Sequence, residues 1–438
     1  MSILDILIGF TVMMGLLFIG FPVAVVMVTL GVVGGMILYG PVLLKSMGSV
    51  LWGVSNENVL TAIPLFILLG ELLLRSGIAD RMYGTLALWL GRLPGGLLHT
   101  NIGACSLFAA TSGSSVATAA TVGTVALPAL NERGYAPARS LGSLAAGGTL
   151  GILIPPSVNL LIYGSLASVS VGQLFMAGII PGILLTLLFM AFVVAESFWR
   201  RSRGLPDASK IEHKRPLGER LRALVHLVPA GVVFLIVMGS IYLGIATPTE
   251  SAALAVIVAL AFVWREGKLN FAFLDTCFRQ TAKTTGIILL IIAAAFTLNV
   301  TLALGGITGV ISSWVAGLGL GPTGLLLALM VFYLVLGMFM DVLSMQVLTI
   351  PIVVPIIVAA GVDPVWFGIF VVLMSELGMI TPPVGMNLYV VQSVRSDGGP
   401  FSDVVRGAVP YAVLMLLFTL LLILLPQIAT WLPRSVMG

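Results

Sequence analysis

Two clusters, one of small polar residues and one ending in a carboxylate, interrupt long apolar stretches. One is Thr111-Ser112-Gly113-Ser114-Ser115, followed by Thr118. The other is Gly337-Met338-Phe339-Met340-Asp341, followed by Ser344. Downstream of each stands a double proline: Pro155-Pro156, flanked by Gly151 and Asn159, and Pro382-Pro383, flanked by Gly378, Thr381, Gly385 and Asn387. None of these groups forms a nucleophile–base pair. The chemistry they offer is non-covalent. Proline removes a backbone donor and breaks a helix, and a broken helix leaves N–H and C=O groups without partners. Helix N-termini attract anions, whereas carbonyl, hydroxyl and carboxylate oxygens suit Na⁺ or a similar hard cation. Serine, threonine and glycine also serve as packing residues between membrane helices, and a lone Pro-Pro is compatible with a simple kink.

Their spacing argues for more than packing. Pro128, Gly134, Pro137, Gly151, Pro155 and Pro156 reappear as Pro355, Gly361, Pro364, Gly378, Pro382 and Pro383 at one constant offset of 227 residues. Matching breaks in two halves of an apolar chain mark the binding site of a carrier built from internal repeats. Composition places these breaks in a bilayer. Of 438 residues, 59% are hydrophobic and only 9% charged, and the mean hydropathy is +1.15; a soluble domain is about 25% charged.

The elements that must position these residues are read from apolar runs. Runs long enough to span fall at about 3–20, 22–39, 59–75, 138–164, 174–198, 224–243, 249–264, 284–302, 364–394 and 408–430. Shorter stretches at 78–92 and 268–283 carry basic residues and suit interfacial helices. The stretches 97–127 and 324–360 hold the polar clusters near their centres. An arm of about 15 residues in the first reaches roughly 22 Å, short of the ~30 Å hydrocarbon core, so a re-entrant hairpin is expected for each, the alternative being a single tilted span. The fold class is therefore an all-α membrane protein of about ten spans and two re-entrant hairpins. Its expected divisions are a scaffold at 1–58, a first repeat at 59–165, further scaffold at 166–283, a second repeat at 284–394 and a C-terminal scaffold helix at 395–438.

Charge agrees with that topology. Eight of the 21 Lys and Arg residues lie in one loop at 199–222, which the positive-inside rule makes cytoplasmic rather than a nucleic-acid site. With the N-terminus outside and each hairpin returning to its own face, only Lys45 and Arg434 of the 21 fall outside. The two repeats are then inverted, the architecture of alternating-access carriers. MSILDILIGF lacks a basic n-region and reads as the first span, not a signal peptide.

Among carboxylates, Asp341 is expected as a cation ligand or a cap, and Glu376 as a group that caps or orients the second break. Glu250 is expected as a helix cap, and Glu71 as an i,i+4 partner of Arg75. No span carries a carboxylate pair suited to a proton relay, which favours Na⁺ over H⁺. Cys105 and Cys277 form no metal pattern or disulfide pair. The three histidines, His99, His213 and His226, are isolated. There is no Walker-type motif and no catalytic constellation, so neither an ATPase nor another enzyme is expected.

TSGSSVATAATVG at 111–123, GILIPPSVNLLIYG at 151–164, ATPTESAA at 246–253, GMFMD at 337–341 and SELGMITPPVGMNLYV at 375–390 together resemble the large membrane subunit of TRAP (tripartite ATP-independent periplasmic) transporters. The resemblance covers essentially the whole chain. It implies an elevator-type secondary transporter of the bacterial inner membrane, driven by Na⁺ and using no cofactor. It further implies a small four-helix membrane subunit, here a separate chain, and a periplasmic substrate-binding protein. The cargo is a small organic anion such as a C4-dicarboxylate, sialic acid or another sugar acid. Carried onto the two tips and two breaks, substrate contacts fall at Ser112, Ser115, Pro156, Asn159, Thr381, Pro383 and Asn387. Na⁺ ligands fall at Ser112, Gly113, Ser114, Thr118, Gly151 and Pro155 in the first repeat. In the second they fall at Gly337, Asp341, Ser344, Gly378, Thr381 and Gly385. The copies differ: Asn159 lies three residues beyond Pro156, Asn387 four beyond Pro383, and Asp341 stands where the first tip has its serines. The competing readings are a stand-alone divalent-anion symporter of related architecture and an anion channel.

Overall fold

A computed structural model describes residues 3–205 and 216–437. Lys210, Lys214, Arg215 and His213 of the basic loop lie outside the described residues. Those described are helical, with no strand among them. Six helices are long and apolar enough to cross a membrane, or eight crossings if two bent helix pairs each count as one. The ten expected crossings also counted shorter helices at the N-terminus and at the second break.

The N-terminal block is α1 (Ile3–Phe18), α2 (Val23–Thr29), α3 (Gly35–Tyr39) and α4 (Val42–Ser55), with a π turn at 30–34 between α2 and α3. The expected span at 22–39 is an unbroken helical run over 23–39 with the π turn inside it. Six helices follow: α5 (Ala62–Arg75), α6 (Ile78–Leu90), α7 (Leu97–Ser112), α8 (Ser115–Glu132), α9 (Pro137–Leu153) and α10 (Val158–Ala167). Next come α11 (Val171–Ser202), α12 (Leu217–Ala223), α13 (Val228–Tyr242) and α14 (Pro248–Arg265). The set of six then recurs as α15 (Phe271–Leu304), α16 (Ile307–Gly317), α17 (Pro322–Gly337), α18 (Val342–Ala359), α19 (Pro364–Met379) and α20 (Met386–Ser393). The chain closes with α21 (Phe401–Leu424) and α22 (Gln427–Met437). Adding 227 to the bounds of α8 gives 342–359, the bounds of α18.

One expectation fails. Residues 268–283 are not an interfacial helix separate from a span at 284–302, because α15 is continuous over 34 residues. From Phe271 to Thr285 there is no glycine or proline to interrupt it. Its polar N-terminal part is held by an Arg279–Asp275 pair one turn apart at 2.7 Å. At 1.5 Å per residue α15 is about 51 Å long, enough to carry its charged end beyond the hydrocarbon. The counterpart of α6 is instead α16, near the place the offset assigns it.

Each polar cluster is a turn between two helices. Both arms of the first, α7 and α8, pack on α9, and both arms of the second, α17 and α18, pack on α19. The halves also cross over. The second arm α8 packs on α20 of the other repeat, and α18 packs on α10 of the first. Proline breaks separate α9 from α10, with a bend of 43°, and α19 from α20. Both Pro-Pro peptide bonds are cis. At the rim, Thr247 and Glu250 form a capping box at the start of α14, and Glu71 bonds Arg75 at 2.7 Å, the roles expected of both acids.

Candidate functional site

At the first tip, Gly113 ends α7 with φ +60, a backbone state that disfavours a side chain. Ser114 starts α8 in extended conformation, and its hydroxyl accepts from the Ala117 N–H at 3.4 Å. The Ser112 and Thr118 hydroxyls bond each other at 2.8 Å. This tip sits on the first break. A Cβ at Gly113 would lie 3.1 Å from the Pro156 carbonyl oxygen, and one at Gly151 would lie 2.9 Å from the Ser114 oxygen and the Ser115 nitrogen. Beyond the break, the Ser157 hydroxyl accepts from the Leu160 N–H at 3.4 Å and starts α10.

The second tip repeats the plan with other residues. Asp341 caps α18, accepting from the Ser344 N–H at 3.1 Å and from the Ser344 hydroxyl. Gly337 and Gly378 face each other closely, with a Cβ on Gly378 only 2.5 Å from the Gly337 Cα. The Val384 N–H donates to the Met338 carbonyl at 3.2 Å and ties break to tip. The Thr381 hydroxyl, in the break, donates to the Leu377 carbonyl in the last turn of α19 at 2.6 Å. Gly385 opens α20 at φ +52.

Between the tips lies a cavity of about 470 Å³. The structure brings Ser112, Gly113, Ser114, Ser115, Asn159 and Asp341 into its wall. The first turns of four helices line it, at Ser115–Ala117 of α8, Val158 and Asn159 of α10, Val342 and Leu343 of α18, and Met386 of α20. Four positive dipole ends therefore surround one space. No Lys, Arg or His is among the lining residues, whereas Glu71 and Asp341 both are. The remaining expected site residues are not in this wall: Thr118, Gly151, Pro155, Pro156, Gly337, Ser344, Gly378, Thr381, Pro383, Gly385 and Asn387. Asn387 is fully buried with neither amide atom partnered. Its nitrogen lies 3.2 Å from where a Gly148 Cβ would be, against α9 and near Ala119 of α8.

Sequence reasoning missed three polar or charged wall residues. Gln280 and Thr284, one turn apart on α15, face the cavity together with Glu71. The only signal for the α15 pair was its i,i+4 spacing, hidden when 268–283 was read as an interfacial helix. It also aimed Glu376 at the second break, whereas Glu376 accepts a hydrogen bond from Ser115 at the first tip. Among the described residues no three His, Cys, Asp or Glu side chains cluster to hold a metal ion. The oxygens at the tips are hydroxyls, carbonyls and single carboxylates.

The family model described as "Tripartite ATP-independent periplasmic transporter, DctM component" matches residues 10–428. The C4-dicarboxylate TRAP transporter large permease protein DctM of Pseudomonas aeruginosa is 36% identical over 412 residues, covering 93% of this chain and 94% of that protein. The isethionate TRAP transporter permease protein DctMQ of Oleidesulfovibrio alaskensis is also 36% identical, over 371 residues, but these are 84% of this chain and 57% of that longer protein. Among solved structures, the Alcanivorax borkumensis YdaH transporter aligns with a TM-score of 0.59 over 90% of this chain and 89% of that one, at 16% identity. At that identity the likeness speaks for the fold.

Proposed function

The chain belongs to the DctM family of TRAP-transporter large permeases, multi-pass proteins of the inner membrane, and from that premise we propose that it imports a small organic anion by Na⁺-coupled elevator transport. The two tip turns are re-entrant hairpins, entering from opposite faces and meeting near mid-membrane. They and the broken spans form the moving unit. A periplasmic binding protein delivers the anion, and a small four-helix subunit docks on the scaffold. Equal identity to a C4-dicarboxylate permease and an isethionate permease supports an acid with a carboxylate or sulfonate head and leaves its choice to the binding protein.

One observation carries this reading. Four helix N-termini face a cavity whose charged wall residues, Glu71 and Asp341, are both acids. Backbone N–H groups can hold an anionic head. Glu71 is paired with Arg75 at 2.7 Å, so the Asp341 carboxylate is the one that repels the same anion unless a cation accompanies it. Na⁺ bound where each tip meets its break supplies that charge. Its ligands are main-chain and side-chain oxygens around Gly113 and Gly151, and around Asp341 and Gly378. The cation is thus cargo and a condition for anion binding, and this couples the two fluxes.

The test is uptake of a C4-dicarboxylate, and separately of isethionate, into proteoliposomes holding the chain, its small subunit and its binding protein. Uptake driven by an inward Na⁺ gradient at constant pH is expected. Uptake that follows a pH gradient and ignores Na⁺ replaces Na⁺ by H⁺. Flux that needs no binding protein favours a stand-alone symporter, and flux that does not saturate favours a channel.

A further inference from the structure

Ser115 and Glu376 are 261 residues apart, in different repeats, yet the Ser115 hydroxyl donates to Glu376 Oε1. Both side chains are buried, and Glu376 Oε2 has no partner. An ionisable group within a membrane span is costly and points to function, and a buried polar link is weak evidence for stability alone. The link is also made only once. At the 227 offset Ser115 corresponds to Val342 and Glu376 to Thr149. Valine cannot donate, and the Thr149 hydroxyl donates to the Ala146 carbonyl of its own helix at 2.6 Å. The second tip therefore lacks the equivalent tether.

What the bond connects gives it a role. Ser115 is the first residue of α8 and lines the cavity. Glu376 lies two residues before Gly378, which rests on Gly337 at the second tip. The path from Ser115 through Glu376 and Gly378 to Gly337 thus runs from the first tip to the second. We propose that Glu376 is a positioning residue: by holding Ser115 it fixes the N-terminus of α8 over the cavity and couples cation occupancy of one tip–break pair to the other. This rests on the Na⁺-coupled reading and adds to it the group that links the two repeats.

The experiment titrates the melting temperature of the purified full-length chain with its small subunit, exchanging choline chloride for NaCl at fixed ionic strength. Na⁺ that binds the folded state raises the melting temperature of the native protein. Glu376→Leu is expected to move the Na⁺ midpoint roughly 10- to 100-fold upward, the scale of a hydrogen bond to a charged group. Ser115→Ala gives the same shift, and the double variant adds no more than about twofold. Glu376→Gln, whose amide oxygen accepts the same hydroxyl in a neutral bond of about half the strength, falls between the native protein and leucine. A native protein with no Na⁺ response removes the Na⁺-coupled reading and this proposal with it. A native response that Glu376→Leu leaves unchanged overturns the role of Glu376 alone. So does a Glu376→Gln variant as impaired as leucine, since charge rather than an acceptor would then be required. If Glu376→Leu does not fold, an unshifted Ser115→Ala overturns the proposal.

Discussion

Replacing Gly378 by alanine probes the seat of the second tip at atomic scale. The added Cβ would stand 2.5 Å from the Cα and the carbonyl carbon of Gly337, whereas ordinary contact begins near 3.4 Å. The opposing atoms are backbone and cannot rotate away, so α17 and α19 must part by about 0.9 Å. Overpacking of this kind costs about 1–3 kcal/mol. If that strain falls on the cation-bound arrangement, the Na⁺ concentration for half-maximal uptake rises roughly 5- to 140-fold at 1.4 kcal/mol per tenfold. Gly337→Ala, with its Cβ 3.0 Å from the Gly378 Cα, is expected to give a smaller effect in the same direction. The control is Gly286→Ala on α15, which meets nothing within 4 Å and gains about 1 kcal/mol of helix propensity. The assay is Na⁺-dependent uptake in proteoliposomes, with melting temperature measured beside it. If Gly378→Ala behaves like Gly286→Ala in both, the close seating of tip on break has no functional consequence and the reasoning is wrong.

Two further predictions concern charge. Asp341→Asn keeps an acceptor for the Ser344 N–H but loses the carboxylate. It should raise the Na⁺ requirement without changing the melting temperature in choline, and Asp341→Ala, which also loses a cap worth about 1 kcal/mol, should raise the Na⁺ requirement and lower the melting temperature. Ser114→Ala should likewise raise the Na⁺ requirement, and unchanged Na⁺ dependence in all three variants removes the tips as cation sites. In the loop after α20, the hydrogen bond from Arg395 holds the Asp397 carboxyl below its usual range. A depressed acid stabilises the fold above its unfolded pKa of about 3.9 and loses that contribution as pH falls through its lower folded value. The melting-temperature gap between the native protein and Asp397→Asn should therefore hold from neutral pH to about pH 4 and close below it. A gap that closes nearer neutral pH contradicts this assignment.

The helix breaks were legible in the chain because paired prolines remove two successive donors: Pro155-Pro156 and Pro382-Pro383 interrupt their helices, whereas the single Pro128 and the separated Pro351 and Pro355 sit inside α8 and α18. Asp341, whose side chain suits a helix cap, was likewise readable as the start of α18. What depends on tertiary contact was not. Glu376 is a lone acid in an apolar helix with no partner nearby in sequence, so nothing local could point it at Ser115. The packing of α8 on α20 and of α18 on α10 is a property of the assembled repeats. Gln280 and Thr284 were hidden by Asp275, Arg279 and Lys283, whose charges made a membrane-entering helix look like a surface one.

The claim on which the account turns is that each tip turns back to the face its arms came from. Cys105 and Cys277 are both buried, so single cysteines can be placed on a quiet background at the exposed positions Leu93 and Glu132, flanking the first pair of arms, and Leu320 and Ala359, flanking the second. Labelling with a membrane-impermeant maleimide from either side should find Leu93→Cys and Glu132→Cys reactive only from the cytoplasm, and Leu320→Cys and Ala359→Cys only from the periplasm. Reaction of the two members of either pair from opposite sides would show a straight crossing there and contradict the inverted, re-entrant arrangement.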